Sequence, residues 1–163
     1  MKPILVILSL FLALSACESK SNNTQQLQAQ IDSLQKKQLD GYRPGLGEFM
    51  LGIQLHHAKL WFAGQNKNWK LADFEVHEIG ETLDDIKKYC TDRPEVKSIG
   101  MIDPAISSID SAIKKKDLQL FNKGFIALTT NCNNCHKDNQ HEFNVITIPT
   151  ALPVTNQEFK PAK

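Results

Sequence analysis

The chain has 163 residues, with 19 Lys and Arg against 18 Asp and Glu, a formal net charge of +1. That balance leaves no polybasic domain of the kind that neutralises phosphates, so nucleic acid is excluded as the expected partner. The length suits one domain with a single core.

Met1 and Lys2 make a short basic start, and Ile4 to Leu14 is an apolar run of signal-peptide length, too short to span a bilayer as a mature helix. The run ends in Leu14-Ser15-Ala16-Cys17, which resembles a bacterial lipobox. That resemblance implies a signal peptide over residues 1–16 and Cys17 as the lipidated first residue of the mature chain. Acyl chains, not a transmembrane helix, would then hold it at the membrane. An ordinary cleaved signal with a stray cysteine is the alternative; the small residues before Cys17 and the polar tail after it count against that. Glu18 is not the Asp associated with inner-membrane retention, so the resemblance implies an outer-membrane address; the expected location is the cell envelope, on the periplasmic side, a facing that no residue fixes. Cleavage would remove Lys2 and no acid, so the mature chain carries 18 Lys and Arg minus 18 Asp and Glu, a net charge of zero.

Residues 17–43 read as a tether. Ser19 to Gln38 is rich in Gln, Ser, Asn and Lys, as a linker is. Leu27, Ile31 and Leu34 nevertheless sit at the four-three spacing of a coiled-coil seam. The pattern predicts a partly helical stalk with self-association through residues 24–38, near the lower length limit for an isolated helix. Gly41, Pro44, Gly45 and Gly47 break the chain before the domain.

Four stripes of helical period follow. They are Leu46, Met50, Ile53, His57 and Leu60; then Trp69, Ala72, Val76, Ile79, Leu83, Ile86 and Cys90; then Ile102, Ile106, Ile109 and Ile113; then Leu118, Phe121, Phe125, Leu128, Cys132 and Cys135. Asp103-Pro104 reads as the start of the third helix and Asp117 as the cap of the fourth. Gly64 to Asn68, Thr91 to Ile99 and Lys115-Lys116-Asp117 are short connections. Short connections make neighbours antiparallel, so the expected fold is all-α: an up-down-up-down four-helix bundle over residues 44–136. Residues 137–163, with Ile148-Pro149 and Leu152-Pro153, read as an extended C-terminal tail along the bundle.

The fourth stripe ends in Cys132-Asn133-Asn134-Cys135-His136, the attachment pattern of a c-type haem. Residues three apart share a helix face, so both thiols reach one porphyrin while the next residue offers an imidazole to its iron. The expected cofactor is one covalent haem c on Cys132 and Cys135, with His136 as proximal ligand and Phe121, Phe125 and Leu128 packing on the ring. A redox dithiol would want a thioredoxin-like βαβ context, and a zinc site a second ligand pair; neither is present. Paired Glu-x-x-His motifs for a di-iron bundle are also missing.

A helical bundle with this motif late in its last helix resembles the class II cytochromes c, over about Leu46 to His136. The resemblance implies Cys132 and Cys135 as thioether sites and His136 as the proximal ligand. A class I cytochrome c is disfavoured, because no Met follows Met101. The tail after His136 departs from the family pattern.

An antiparallel first helix places its start beside the end of the fourth, which makes Met50 the leading sixth ligand. The low-spin members of the resembling family also use a Met near the start of their first helix. His57 is the rival, about 10 Å further along the axis, and His56 leans off the stripe. An inward His57 needs a hydrogen-bond partner, which a propionate, Glu75 or Glu78 could supply. An open, five-coordinate iron is the third arrangement. His77 and His141 read as exposed, Cys90 as a buried apolar thiol. Glu75, Glu78, Glu81, Asp84 and Asp85 read as a solvated face, and so do Lys114, Lys115 and Lys116.

Three functions compete. The leading one is a carrier of single electrons, not an enzyme, exchanging them with an exported redox partner protein while a lipid anchor holds it at the membrane. The second is a five-coordinate haem protein that binds NO or CO. The third is a haem-free interaction module with a Cys132–Cys135 disulfide.

Overall fold

The structure, a computed structural model, describes residues 23–38, 41 and 44–162. The expected signal peptide over residues 1–16 and Cys17 lie outside them. The chain divides into two units, Met1–Arg43 and Pro44–Lys163. In the first, residues 23–38 form helix α1, exposed along its whole length. Leu27, Ile31 and Leu34 stay 53%, 47% and 64% exposed, so a large apolar stripe is bare on this helix.

The second unit holds α2 (Leu46–Gln65), α3 (Trp69–Tyr89), α4 (Val96–Ile99), a 3-10 turn (Gly100–Ile102), α5 (Asp103–Lys115) and α6 (Leu118–Asp138). No strand occurs among the described residues, and none of their helices is long and apolar enough to cross a membrane.

Side chains that satisfy the free N–H groups of a first turn decide where these helices begin. Asn68 accepts the Leu71 N–H at 3.3 Å and starts α3. Asp117 accepts the Gln119 and Leu120 N–H groups at 2.9 and 3.0 Å and starts α6. The start of α5 differs from expectation. The 3-10 turn runs straight into it, so the cap position falls on Ile102, with no side-chain cap bond, and Pro104 enters the first turn. The Asp103 carboxylate meets the Lys87 ammonium at 3.2 Å instead. Lys116 closes α5 in the left-handed region at φ 54°, the usual backbone for ending a helix abruptly.

The segment read as a plain loop, Thr91 to Ile99, is partly helical. Its apolar Val96 and Ile99 fall three apart, and Ile99 is fully buried in the core.

Helix α2 packs on α3, α3 on α5, α5 on α6, and α6 also touches α2. Glycines allow two of these approaches. A Cβ on Gly64 would strike the Phe121 ring, and one on Gly124 would lie 2.8 Å from Ile109 Cγ1. The core is Leu60, Val76, Ile79, Leu83, Ile86, Ile109, Phe121, Phe125 and Leu128, each 1% exposed or less. Burying each of these large side chains stabilises the fold by about 1.5–3 kcal/mol.

Past α6 the chain runs without helix or strand to residue 162. Ile148 packs on the core. Phe159 is buried, its ring 5.8 Å from that of Phe62, and the Lys160 carbonyl accepts from Asn68 Nδ2 at 3.2 Å. The tail therefore runs from the end of α6 to the turn between α2 and α3.

Candidate functional site

Thr129, Thr130, Asn131 and Asn133 are poor helix formers, because their short polar side chains compete for backbone groups. In the last turns of α6 all four are given fixed partners. The Thr129 and Thr130 hydroxyls donate to the Phe125 and Ile126 carbonyls at 3.0 and 2.8 Å. Asn131 Nδ2 donates to the Met101 carbonyl at 3.2 Å. Asn133 holds Ile146 of the tail through both ends of its amide, at 2.9 and 2.8 Å. The helix is thus carried through Cys132 and Cys135 despite its composition.

Two adjoining cavities, of about 250 and 410 Å3, open along this stretch. Met50, Cys135 and His136 line both, and Cys132 and His57 line the larger. Helical spacing therefore brings both thiols to one wall, and the start of α2 brings Met50 to the same space. Cavities of a few hundred Å3 are of the size that holds small molecules and cofactors.

Cys132 and Cys135 are free thiols. Burial, with the neighbouring Cys135 thiol as a smaller cause, pushes Cys132 up to about 11. Burial also raises Cys135. Both are protonated at neutral pH, the opposite of what an attacking dithiol needs.

His136 Nδ1 lies 2.6 Å from the Asn144 carbonyl. A carbonyl only accepts, so Nδ1 carries the hydrogen and the neutral ring keeps its lone pair on Nε2. This is the arrangement that orients metal-ligating histidines and makes them more basic.

His57 is 3% exposed, and burial lowers its pKa to about 4. Its partner is neither Glu75 nor Glu78 but Thr129, at 2.9 Å from Nε2. The one Thr129 hydrogen goes to Phe125, so His57 Nε2–H donates to the hydroxyl. Thr129 precedes Cys132 by three positions, so helix spacing places it on the cysteine face; that was the missed signal.

The glutamates serve His56. Its Nδ1 lies 2.7 Å from Glu75 Oε2 and its Nε2 4.0 Å from Glu78. Glu75 is fully buried, not part of a solvated face, and Lys59 Nζ lies 3.8 Å from its other oxygen. Phe121, Phe125 and Leu128 line neither cavity. They form core: the Phe121 and Phe125 rings are 6.0 Å apart and Phe125 is 4.4 Å from the His57 ring. The apolar side of the larger cavity is made by Leu51, Ile53, Ile102 and Ile146.

The smaller cavity adds His141 and two residues the sequence reading passed over, Arg93 and Glu95. Glu95 is 8% exposed. Its Oε1 meets Arg93 at 2.7 Å and His141 Nε2 at 3.4 Å, while Oε2 has no protein partner. Its own backbone N–H, then Arg93 and His141, hold the carboxyl below the usual range against the opposing effect of burial. His141 is half-buried here rather than exposed. Elsewhere, Asp73, His77 and Asp110 bring ligand atoms within 4.8 Å of one another between α3 and α5. Lys114, 2.6 Å from Asp110 Oδ2, already offsets one of the two carboxylates.

No protein-family model matches the chain, and neither a curated relative nor a solved structure is significantly similar to it.

Proposed function

We propose that this protein is a c-type cytochrome of the cell envelope that carries single electrons and is not itself an enzyme. The reading makes α2, α3, α5 and α6 an up-down-up-down four-helix bundle like that of the class II cytochromes c, with the motif near the end of the last helix. Cys132 and Cys135 hold one haem c through thioethers and His136 is its proximal ligand. Bound haem supplies a one-electron Fe(III)/Fe(II) couple. The observation that carries the reading is His136: its Nδ1–H is spent on Asn144, leaving an Nε2 lone pair beside two thiols on the wall of an apolar cavity. The donor set fits the group, with two thiols on one face, one oriented imidazole and one thioether.

Met50 is the sixth ligand in this proposal, since its thioether is a soft donor that lines the larger cavity with both thiols and the smaller one with Cys135. His57 is less suited, because its Nε2–H is committed to Thr129. Lipidation at Cys17 anchors the carrier to the outer membrane facing the periplasm, near an exported redox partner protein. The stripe of Leu27, Ile31 and Leu34 lets stalks associate.

The test is expression with a haem-maturation system. Haem must survive on the denatured chain, and Cys132→Ser with Cys135→Ser must abolish it while helicity stays. A reduced low-spin spectrum that ignores CO is expected for the wild type, and Met50→Ala should make it CO-responsive. A wild-type high-spin spectrum that shifts with CO would remove Met50 from the iron and put NO or CO binding first. A chain that never acquires haem would leave the disulfide-bearing interaction module.

A further inference from the structure

The tail after His136 has no counterpart in the motif itself, yet it touches the motif twice. The Asn144 carbonyl takes His136 Nδ1–H at 2.6 Å. Two residues later, Ile146 is gripped by Asn133, the first residue between the cysteines. Asn133 Nδ2 donates to the Ile146 carbonyl at 2.9 Å, and Asn133 Oδ1 accepts the Ile146 N–H at 2.8 Å. Both polar ends of one side chain are thus spent on a single tail residue.

Little else holds this part of the chain down. Glu142, Phe143, Asn144 and Val145 are all exposed, Phe143 to 81% and Val145 to 64%. The backbone closes the near end, with the His141 N–H on the His136 carbonyl at 2.7 Å and the Asn144 N–H on the His141 carbonyl at 2.9 Å. The far end is fixed by the Asn133 amide.

We propose that Asn133 is a positioning residue for His136. It clamps Ile146, the clamp holds the Asn144 carbonyl against the imidazole, and the carbonyl fixes the ring's tautomer and plane. The inference rests on the haem reading for its consequence: a proximal histidine made more basic by this bond favours the ferric state. The clamp thereby sets the reduction potential from outside the ligand set.

The experiment compares wild type, Asn133→Ala, Asn133→Asp and Asn134→Ala. Asn134 is exposed and serves as the control inside the same motif. In the haem-loaded proteins, Asn133→Ala should shift the reduction equilibrium toward the ferrous state about tenfold, the low end of what losing such a partner does at metal sites. For one electron this is a rise of about 59 mV. Asn133→Asp keeps the acceptor and loses the donor, so it should fall between, and Asn134→Ala should match wild type. In the haem-free proteins, nitrogen NMR should find His136 as the Nδ1–H tautomer with a slowly exchanging Ile146 amide. Both features should be lost in Asn133→Ala. Wild-type potential together with an unchanged tautomer in Asn133→Ala would overturn the clamp, and so would an equal shift in Asn134→Ala. If Asn133→Ala does not fold, Asn133→Asp decides by the same readings. Failure of the wild type to take up haem strikes only the haem reading, because the tautomer and the amide still test the clamp.

Discussion

The two halves of α6 are built on different physics. From Leu118 to Leu128 the helix is held by apolar packing. Phe121 fills the space that Gly64 leaves open, its ring lies 6.1 Å from Trp69, and Phe125 continues the contact toward Trp61 at 4.9 Å. From Thr129 to Asp138 the helix is held by hydrogen bonds to other parts of the chain, and the cavities open there. Close packing leaves no room for a cofactor, and a cavity gives up packing energy. The chain keeps its close packing at one end of the helix and its cavities at the other.

The largest effect of mutation on stability therefore lies in the first half. Phe121→Ala should cost about 3–5 kcal/mol, the usual range for an aromatic removed from a core. Denaturant unfolding measures it. In whatever fraction remains folded, the His136 tautomer and the thiol face should be unchanged. A loss of the site with little loss of stability would mean the two halves are not separable.

The polar half responds to pH. His57 sits at the border, neutral and buried, with a pKa lowered to about 4 by burial against about 6.5 when unfolded. Between those values the unfolded chain binds the proton and the folded one does not, so stability rises with pH. Its contribution is fully present above about pH 6.5 and is lost as pH falls toward 4. Each pH unit in that window is worth about 1.36 kcal/mol, so the total swing is about 3 kcal/mol. His57→Gln should flatten that part of the stability profile measured by thermal unfolding between pH 4 and 7. An unchanged slope would assign the acid sensitivity to another group.

The same division explains which parts were legible in the sequence. Period-3.6 stripes report burial, so the four stripes read as helices, and α2, α3, α5 and α6 cover them but for Cys90, just past α3, and Ile102, in the 3-10 turn. Asp117 carried its own cap signal. The motif announced Cys132, Cys135 and His136 by spacing alone. What stayed hidden was partnership between elements. A stripe does not tell whether Phe125 faces a cofactor or another ring. Nor does it tell that His56, off the stripe, and Glu75 would find each other across α2 and α3. Glu95 and the placement of the tail were hidden for a related reason: no period runs through Arg93-Pro94-Glu95 or Glu142 to Ile146, and these segments are placed by individual hydrogen bonds rather than by a repeating pattern.

The smallest effect concerns Thr129, where the two halves meet. Its hydroxyl serves both sides, accepting from His57 and donating to Phe125. Thr129→Val keeps the shape and removes the hydroxyl, so the buried His57 N–H loses its acceptor at a cost of about 1–3 kcal/mol. Thr129→Ser keeps the hydroxyl and should recover the polar share of that loss, leaving only the missing methyl, worth about 0.8 kcal/mol per buried carbon group. Urea unfolding of the pair at pH 7 separates the two contributions. Should Val prove no worse than Ser, the hydroxyl would be idle, and the border between dry and polar halves would lie further toward Cys132. Should Val be worse by more than the methyl can offset, the His57–Thr129 bond joins the two halves of α6, and the site begins there.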